Sequence, residues 1–295
     1  MKISFSIVDV FTDKKFSGNQ LAVFQCFSPL SDDQMQIIAR EMHFSETTFI
    51  NPVPIKKNQY SVRIFTPEHE VPFAGHPVLG TAYVIREELM NPPGNEIILN
   101  LSAGLVPVSY SPELGRPPIL WMKQPSPVFG ATFHPELIAH VLQIPNSSID
   151  TRFPIEEVST GLPFIIVPFI NREAVISARI HDDSYQELIA SIDAKALHIF
   201  CNEPYDPEHT LHARMFGPYY GVPEDPATGS ANGCLTAYIV KNRYFDNIPP
   251  VMSIEQGYAI HRPSLIYCKS QETEDTINVE VGGSVIPIAR GEMVI

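Results

Sequence analysis

The stretch Arg63–Tyr83 reads RIFTPEHEVPFAGHPVLGTAY, and the stretch Arg214–Tyr238 reads RMFGPYYGVPEDPATGSANGCLTAY. Both begin with Arg-x-Phe-x-Pro, contain Val-Pro and a glycine followed by a polar residue, and end with Thr-Ala-Tyr. The second copy is four residues longer, and the additional residues fall in its Glu-Asp-Pro-Ala-Thr-Gly-Ser turn. A repeat whose period is the size of a domain predicts two related halves.

Each copy also predicts the start of a helix. Gly75 and Gly229 precede apolar runs, and Pro77 stands at an early helical position that tolerates proline. Free backbone N–H groups and the positive end of the helix dipole favour a carboxylate or phosphate at such a start. Glycine, serine and proline often simply begin helices, but the repetition favours a site. We therefore predict that Gly75, Gly229 and Ser230 bind a small anionic substrate in one cleft.

The composition of the 295 residues is that of an ordinary globular protein, with 44% hydrophobic and 18% charged residues and a net charge of −13. Lysine and arginine do not cluster, so we expect no nucleic-acid partner. No apolar run is long enough to span a membrane, and the N-terminal residues resemble a strand more than a signal peptide. The four cysteines lack C-x-x-C spacing. We expect a cytoplasmic location and buried thiols.

The chain is predicted to be rich in strands, with one apolar helix after each repeated stretch. A helix that is apolar on all sides is buried, so a sheet is expected to curl around it. A capping pattern, Ser31–Gln34, predicts another helix before residue 43. The segment SPELGRPP (Ser111–Pro118) marks the expected junction. The predicted halves are residues 1–117 and 118–286, with the last strand, about 287–295, crossing back to the first half.

Two carboxylates are candidates for proton transfer. Asp225 lies just ahead of Gly229 and Ser230; taken alone, Asp-Pro is common turn chemistry. Glu46 lies in FSETTFI; most strand glutamates are solvated, but its apolar neighbours allow an inward-facing general base. His209 and His212 have metal-ligand spacing without a third ligand pattern, and no nucleotide-binding glycine motif occurs. The sequence therefore calls for no metal and no nucleotide.

At these residues the chain resembles the PhzF-like (phenazine-biosynthesis-like) family, relatives of diaminopimelate epimerase. The similarity covers nearly the whole chain. It is carried by ordered motifs: VDVFTDKKFSGNQLAVF (8–24), FSETTFI (44–50), FTPEHEVPFAGHPVLGTA (65–82), VSTGLPFIIVP (158–168), GVPEDPATGSANG (221–233) and VGGSVIPIARGEM (281–293).

The resemblance implies an α+β fold of two pseudo-symmetric halves. Each half would be a mostly antiparallel sheet curled into a barrel around a central helix, with the site between the halves. It also implies a homodimer and a cofactor-independent isomerase that moves a proton between carbons of a small cyclic carboxylic acid. Glu46 would move the proton, as in trans-2,3-dihydro-3-hydroxyanthranilate isomerases, and His76, Asp225 and Ser230 would assist.

Two departures from related proteins matter for the chemistry. Related epimerases use two cysteines, one before each glycine, where this chain has Ala74 and Thr228, so racemisation by two thiols is excluded. Gln20 stands where the family usually has proline, which affects only a turn. Two alternatives stay open: a lyase or hydratase acting on a related acid, and a binder of a small acid without catalysis. Analysis of reaction products would separate them.

Overall fold

The computed structural model describes residues 1–112, 117–274 and 276–295. The protein has a mixed α/β fold with many strands and few helices. It divides into two compact units, Met1–Lys123 together with Gly282–Ile295, and Gln124–Val281. The junction expected at Ser111–Pro118 includes residues 113–116, which lie outside the described residues.

The elements, in chain order, are β1 (Lys2–Val10), β2 (Asn19–Gln25), α1 (Asp32–Met42), β3 (Glu46–Ile50), β4 (Gln59–Phe65), β5 (Glu70–Val71), α2 (Gly75–Val84), β6 (Glu96–Leu101), β7 (Gly104–Ser111), β8 (Ile119–Lys123), β9 (Val128–Phe133), α3 (Pro135–Val141), β10 (Ile155–Ser159), β11 (Pro163–Pro168), α4 (Arg172–Ser177), α5 (Asp182–Ala190), β12 (Leu197–Cys201), β13 (Leu211–Gly217), β14 (Val222–Asp225), α6 (Gly229–Lys241), β15 (Met252–Gln256), β16 (Ser264–Glu272), β17 (Ile277–Gly283) and β18 (Val285–Val294).

Strand order in the two units follows the same scheme. In the first unit the strands lie in the order β18–β1–β2–β3–β4–β6–β7–β8, and β5 pairs with β4. In the second unit the order is β9–β10–β11–β12–β13–β15–β16, and β14 pairs with β13. Two pairings in each unit are parallel, β2–β3 and β4–β6 in the first, β11–β12 and β13–β15 in the second. The sequence repeat is therefore accompanied by a repeat of topology.

Helix α1 follows the capping pattern seen in the sequence. The Ser31 side chain accepts from the backbone N–H of Gln34, whose own side chain accepts from the Ser31 N–H. His43 ends the helix in a left-handed conformation. Met35 and Ile38 bury its apolar face against β-strand side chains. Capping of this kind stabilises a helix start by about 1 kcal/mol.

The two helices after the repeated stretches are buried along almost their whole length. Helix α2 contacts β1, β2, β3, β6, β7, β8 and β18. Helix α6 contacts β10, β11 and β16. A helix without a polar face gains its stability from such packing, because each buried aliphatic side chain contributes about 1.5–3 kcal/mol.

The first of these helices ends differently from the expectation. The sequence predicts a helix to about Glu88, whereas the α-helix ends at Val84 and continues as a wider π-helical turn, Ile85–Leu89. This turn carries Glu88, whose carboxylate accepts hydrogen bonds from Ser6, Gln25 and Arg290. Glu88 thereby connects this turn to β1, β2 and β18.

Within the described residues, none of the helices combines the length and the apolar character needed to cross a membrane.

Candidate active site

In the first unit the repeated stretch forms a strand, a short antiparallel partner and a helix start. Arg63 on β4 makes two hydrogen bonds to Glu70 on β5, at 2.7 and 2.6 Å, and a third to Asp32. A bidentate arginine–carboxylate pair fixes geometry in two directions. It holds the hairpin from which the chain enters α2 at Gly75.

The second unit contains the same arginine–glutamate pair in its own repeated stretch. Arg214 on β13 makes two hydrogen bonds to Glu224 on β14, at 3.0 and 2.8 Å. The remaining nitrogen of its guanidinium donates to the carbonyl groups of Val175, Ile176 and Ala178. This arginine is 3% exposed, whereas Arg63 is 32% exposed. The second hairpin is thus the more deeply anchored one.

The residues that precede the two helices do not cap them. Ala74 has no capping group, and Thr228 turns its hydroxyl toward Asp225, so neither N-cap residue makes a side-chain capping hydrogen bond. Gly75 and Gly229 are buried, and the polar residues that follow them are buried as well. Both helix starts therefore present uncapped N–H groups at the positive end of a dipole, where an anion is stabilised.

Glu46 is the first residue of β3, and its side chain is 19% exposed. The strand pairs in parallel with β2, and the register sets Glu46 opposite Leu21. Its neighbours Thr47 and Thr48 are fully buried, and one carboxylate oxygen of Glu46, Oε2, is itself buried. The expectation of an inward-facing glutamate agrees with this burial.

His76, the second residue of α2, lies beside that carboxylate. Its Nδ1 is 3.6 Å from Glu46 Oε2, and its Nε2 is 3.3 Å from the carbonyl oxygen of Gln20. Burial lowers the pKa of His76 to about 3, and the hydrogen bond to Gln20 opposes this only in part. The distance to Glu46 is within ion-pair range, but a neutral histidine makes no ion pair, so the two groups are not a salt bridge.

The tautomer of His76 follows from its carbonyl partner. A carbonyl oxygen only accepts, so Nε2 carries the hydrogen and Nδ1 presents a lone pair to Glu46. The Glu46 oxygen and His76 Nδ1 are both hydrogen-bond acceptors, so they attract each other only when a proton lies between them. At 3.6 Å the contact is longer than a hydrogen bond, and such contacts often tighten when substrate binds. The structure thus places a carboxylate oxygen of Glu46 beside the lone pair of His76 Nδ1.

Three predicted residues of the second unit come together at the start of α6. Asp225 ends β14, is 6% exposed, and accepts a hydrogen bond from the Thr228 hydroxyl at 2.6 Å. Gly229 and Ser230 form the first turn of α6, and Ser230 is 7% exposed. The structure thus gathers Glu46, His76 and Gly75 in one unit, and Asp225, Gly229 and Ser230 in the other.

The repeat does not duplicate the candidate base. Phe65 and Phe216 occupy the same place in the repeat, and their strand partners are Thr47 and Leu197. The residue before Leu197 is Ala196, which therefore takes the place of Glu46 and is fully buried. The chemistry of a carboxylate at this position belongs to the first unit alone.

The histidines with metal-ligand spacing have another role. His209 Nδ1 lies 2.8 Å from Oε1 of the fully buried Glu255, and His212 Nδ1 lies 3.8 Å from Oε2 of the same carboxylate. Backbone N–H groups of Tyr205 and Asp206 also donate to it. Glu255 thereby fixes the loop before β13. In the described ranges, no three His, Cys, Asp or Glu side chains are arranged to hold a metal ion.

Two contributors to the site were missed by the sequence analysis. Gln20 was expected in a turn, but it lies on β2, and its carbonyl sets the tautomer of His76. The Gln256 side chain lies behind the Asp225–Thr228 turn. Every residue has a backbone carbonyl, so the identity of a residue does not reveal what its carbonyl contacts. A single glutamine at the end of a strand carries no periodic signal, so neither could be found from spacing.

Known proteins resemble this chain over its whole length. The family model described as phenazine biosynthesis-like protein matches residues 8–291. A trans-2,3-dihydro-3-hydroxyanthranilate isomerase of Pseudomonas fluorescens is 33% identical over 293 residues, covering 99% of each chain. A solved PhzF-family phenazine biosynthesis protein of Bacillus anthracis has a TM-score of 0.90 at 26% identity and covers both chains fully. A predicted epimerase of Pseudomonas aeruginosa has a TM-score of 0.82 at 30% identity, with 99% of each chain covered.

These matches confirm the resemblance that the ordered motifs indicated. Related curated proteins from Clostridium acetobutylicum and Pasteurella multocida are also named isomerases, each at 30% identity over nearly the full length. Together with the match of the family model, they show that the chain belongs to the phenazine biosynthesis-like (PhzF) family and is an enzyme of the isomerase class.

Proposed function

We propose that this protein is a cofactor-independent isomerase that moves a proton between two carbons of a small cyclic carboxylic acid. The observation that carries the proposal is the 3.6 Å approach of the buried His76 Nδ1 to Glu46 Oε2, with Nε2 facing the Gln20 carbonyl. The relatives named trans-2,3-dihydro-3-hydroxyanthranilate isomerase supply the substrate class. A compound of that kind, a conjugated ring with a carboxylate, is the first candidate.

The proposed reaction balances without a second reactant. The Glu46 carboxylate takes a proton from one carbon, and the C–H electrons move into the conjugated system. The same carboxyl group then returns the proton to a different carbon, and the double bonds shift accordingly. The lone pair at His76 Nδ1 accepts a hydrogen bond from the protonated carboxyl while the proton is held. The Glu46 side chain is 19% exposed, so the held proton exchanges with solvent between the two transfers, and in heavy water the receiving carbon takes up deuterium.

The second carboxylate and the helix starts are given supporting roles. Asp225 is proposed to accept a hydrogen bond or proton from a polar group of the substrate. In the second unit the N–H groups at Gly229 and Ser230, with the Ser230 hydroxyl, are proposed to bind an anionic group of the substrate, and the N–H group at Gly75 is proposed as the corresponding binding group of the first unit. The support is that neither N-cap residue, Ala74 or Thr228, makes a side-chain capping hydrogen bond, together with the dipole of each helix.

Two architectural expectations are proposals of the same kind. We propose that the sheet of each unit closes into a barrel around its central helix. The contacts of α2 with β1, β2, β3, β6, β7, β8 and β18 support this for the first unit. We also propose a homodimer, by analogy with the family.

The function is tested by exchange of carbon-bound hydrogen in heavy water, followed by NMR, with trans-2,3-dihydro-3-hydroxyanthranilate as the probe. Glu46→Gln should keep the fold and still bind the acid, but should lower proton transfer at least ~100-fold, the usual contribution of a positioned acid or base. The matched control is Glu96→Gln, an exposed glutamate on β6 of the same unit, which should exchange at the parent rate.

The outcomes separate the alternatives. If Glu46→Gln exchanges as fast as the parent while Asp225→Asn or His76→Ala does not, Glu46 is not the base. If the parent binds the acid but neither exchanges a proton nor releases a product, the protein is a binder. Loss of water from the probe, detected by mass spectrometry, would assign a lyase.

A further inference from the structure

A buried network of side chains lies behind the turn that carries Asp225. At its centre is Gln256, the last residue of β15, which has no exposed surface. Its amide makes four hydrogen bonds and thus uses its full capacity. Nε2 donates to the Asp225 carbonyl oxygen (2.8 Å) and to Thr228 Oγ1 (3.0 Å). Oε1 accepts from the Thr228 backbone N–H (3.2 Å) and from Asn232 Nδ2 (2.8 Å).

These partners fix the orientation of the amide. The Thr228 backbone N–H can only donate, so it must face the oxygen of Gln256, and the Asp225 carbonyl can only accept, so it must face the nitrogen. The Thr228 hydroxyl consequently receives a hydrogen bond from Gln256. Its own proton is then directed to Asp225 Oδ2, 2.6 Å away.

A second side chain keeps Gln256 in this orientation. Asn232, also fully buried, donates through Nδ2 to both Gln256 Oε1 and the Thr228 carbonyl oxygen, the latter at 2.9 Å. Its oxygen therefore faces the Nε2 hydrogen of His198, at 3.3 Å. Gly257 follows with φ +80, and a Cβ there would lie 2.6 Å from the carbonyl oxygen of Pro226 in the same turn. The backbone thus approaches the turn as closely as it can.

The first unit has a different residue at the place of Gln256, and it has no counterpart of the Asp225 carboxylate. Tyr60 on β4 faces Leu99 on β6, and Leu211, at the same place in the repeat, faces Ile254 on β15. Two residues further on, Leu101 takes the place of Gln256. Ala74 correspondingly takes the place of Thr228. The amide and the hydroxyl occur together only in the unit that has the carboxylate.

We propose that Gln256 is a positioning residue for the isomerase: through Thr228 it holds the Asp225 carboxylate in one orientation beside the start of α6. The same hydrogen bonds commit the Thr228 hydroxyl to Asp225, so that it does not cap the helix and the first N–H groups of α6 stay available to substrate. The kinetic consequence rests on the proposed function. The hydrogen-bond arrangement does not.

The test compares a substitution that removes the Thr228 hydroxyl with one that removes the Gln256 amide. Thr228→Val and Gln256→Leu should lower kcat for proton exchange of the probe acid by about 10- to 100-fold, the size of effect expected when a catalytic group is misplaced, while KM changes less. Thr228→Ser retains the hydroxyl and should restore most of the activity. Thr236→Val is the control, since Thr236 lies on the same helix, is fully buried, and its hydroxyl donates to the Asn232 carbonyl rather than to Asp225.

Failure of the inference and failure of the proposed function give different results. If the parent exchanges and Glu46→Gln does not, but Thr228→Val exchanges at the parent rate, Gln256 and Thr228 are not positioning groups. Equal loss in Thr228→Ser and Thr228→Val would assign them a structural role only. If neither the parent nor any variant exchanges the proton of the probe acid, a crystal structure of the protein tests the hydrogen-bond arrangement directly. A Thr228 hydroxyl that faces the N–H groups of α6 instead of Asp225 would overturn the inference.

Discussion

At the scale of the residue, the cysteines illustrate how burial decides reactivity. Burial raises the pKa of Cys26 and Cys201 to about 11 and that of Cys234 and Cys268 to about 12. A thiol attacks only as its thiolate, so almost none of the reactive form exists near neutral pH. The absence of cysteine at Ala74 and Thr228 removes thiols from the site itself.

Alkylation of the folded protein is therefore expected to leave activity intact. Iodoacetamide at pH 8 should modify the native protein slowly and spare proton exchange of the probe acid, whereas the urea-unfolded chain should take up four labels, one for each cysteine. Mass spectrometry gives the number of labels and NMR the activity. Rapid inactivation with one label would show that a thiol takes part in the reaction.

The residues of the candidate site could be proposed from the sequence because each lies in a short motif, and the resemblance to the family gave them their expected roles. Glu46, His76, Asp225 and Ser230 stand beside glycines, prolines or hydroxyl residues that mark turns and helix starts. Gln256 was not predictable, since its four partners depend on how β15 lies against a turn about 30 residues earlier in the chain. Contacts of that range are decided by packing, which leaves no pattern in sequence.

At the scale of the element, the two repeated hairpins share a design but differ in burial. Arg214 and Glu224 are 3% and 10% exposed, whereas Arg63 and Glu70 are both 32% exposed. An ion pair in water contributes 0–1 kcal/mol, but removal of one partner from a buried pair leaves a desolvated charge and costs about 3–5 kcal/mol. The same substitution in the two hairpins should therefore have unequal effects.

Urea unfolding of Arg214→Met and Arg63→Met measures this difference. Arg214→Met should lower the free energy of unfolding by about 3–5 kcal/mol, since it leaves the Glu224 carboxylate buried without its partner and removes the hydrogen bonds of Arg214 to three backbone carbonyls. Arg63→Met should cost about 1 kcal/mol or less. Equal losses in the two variants would contradict the assignment of the second hairpin as the deeply anchored one.

Helices were predicted correctly where a capping pattern or an apolar run marks them in the sequence. The prediction failed where a turn makes polar contacts with distant strands. The capping box before α1 and the apolar runs of α2 and α6 indicated helices that the structure contains. The π-helical turn Ile85–Leu89 was not expected; its Glu88 accepts hydrogen bonds from side chains of distant strands. A local propensity cannot record such a partner.

At the scale of the whole molecule, the repeat explains how one chain builds two similar units with different chemistry. The order of parallel and antiparallel pairings is the same in both. Ala196 stands in place of Glu46, and Leu101 in place of Gln256. Each unit has thus kept the scaffold of the repeat and specialised a few buried positions, which is where function resides in a shared fold.

Acid stability is a property of the whole molecule that follows from three buried histidines. Burial lowers the pKa of His76 to about 3 and that of His198 and His212 to about 4. The unfolded chain binds a proton at each of these histidines below about pH 6.5, whereas the folded protein does not. Stability is therefore fully present above pH 6.5 and is lost as the pH falls through 6.5 toward 4 and 3.

The loss should be measurable between pH 7 and pH 5, where each of these histidines is expected to cost roughly 2 kcal/mol. Urea unfolding at the two pH values gives the free energy at each. In His212→Phe, which retains a ring beside Tyr205 and Tyr258, the difference between the two pH values should shrink by about one histidine's share. The exposed His134, changed to asparagine, should leave the difference unchanged. A pH dependence identical in the parent and in His212→Phe would mean that this histidine is protonated in the folded state, and the link between burial and acid loss would fail.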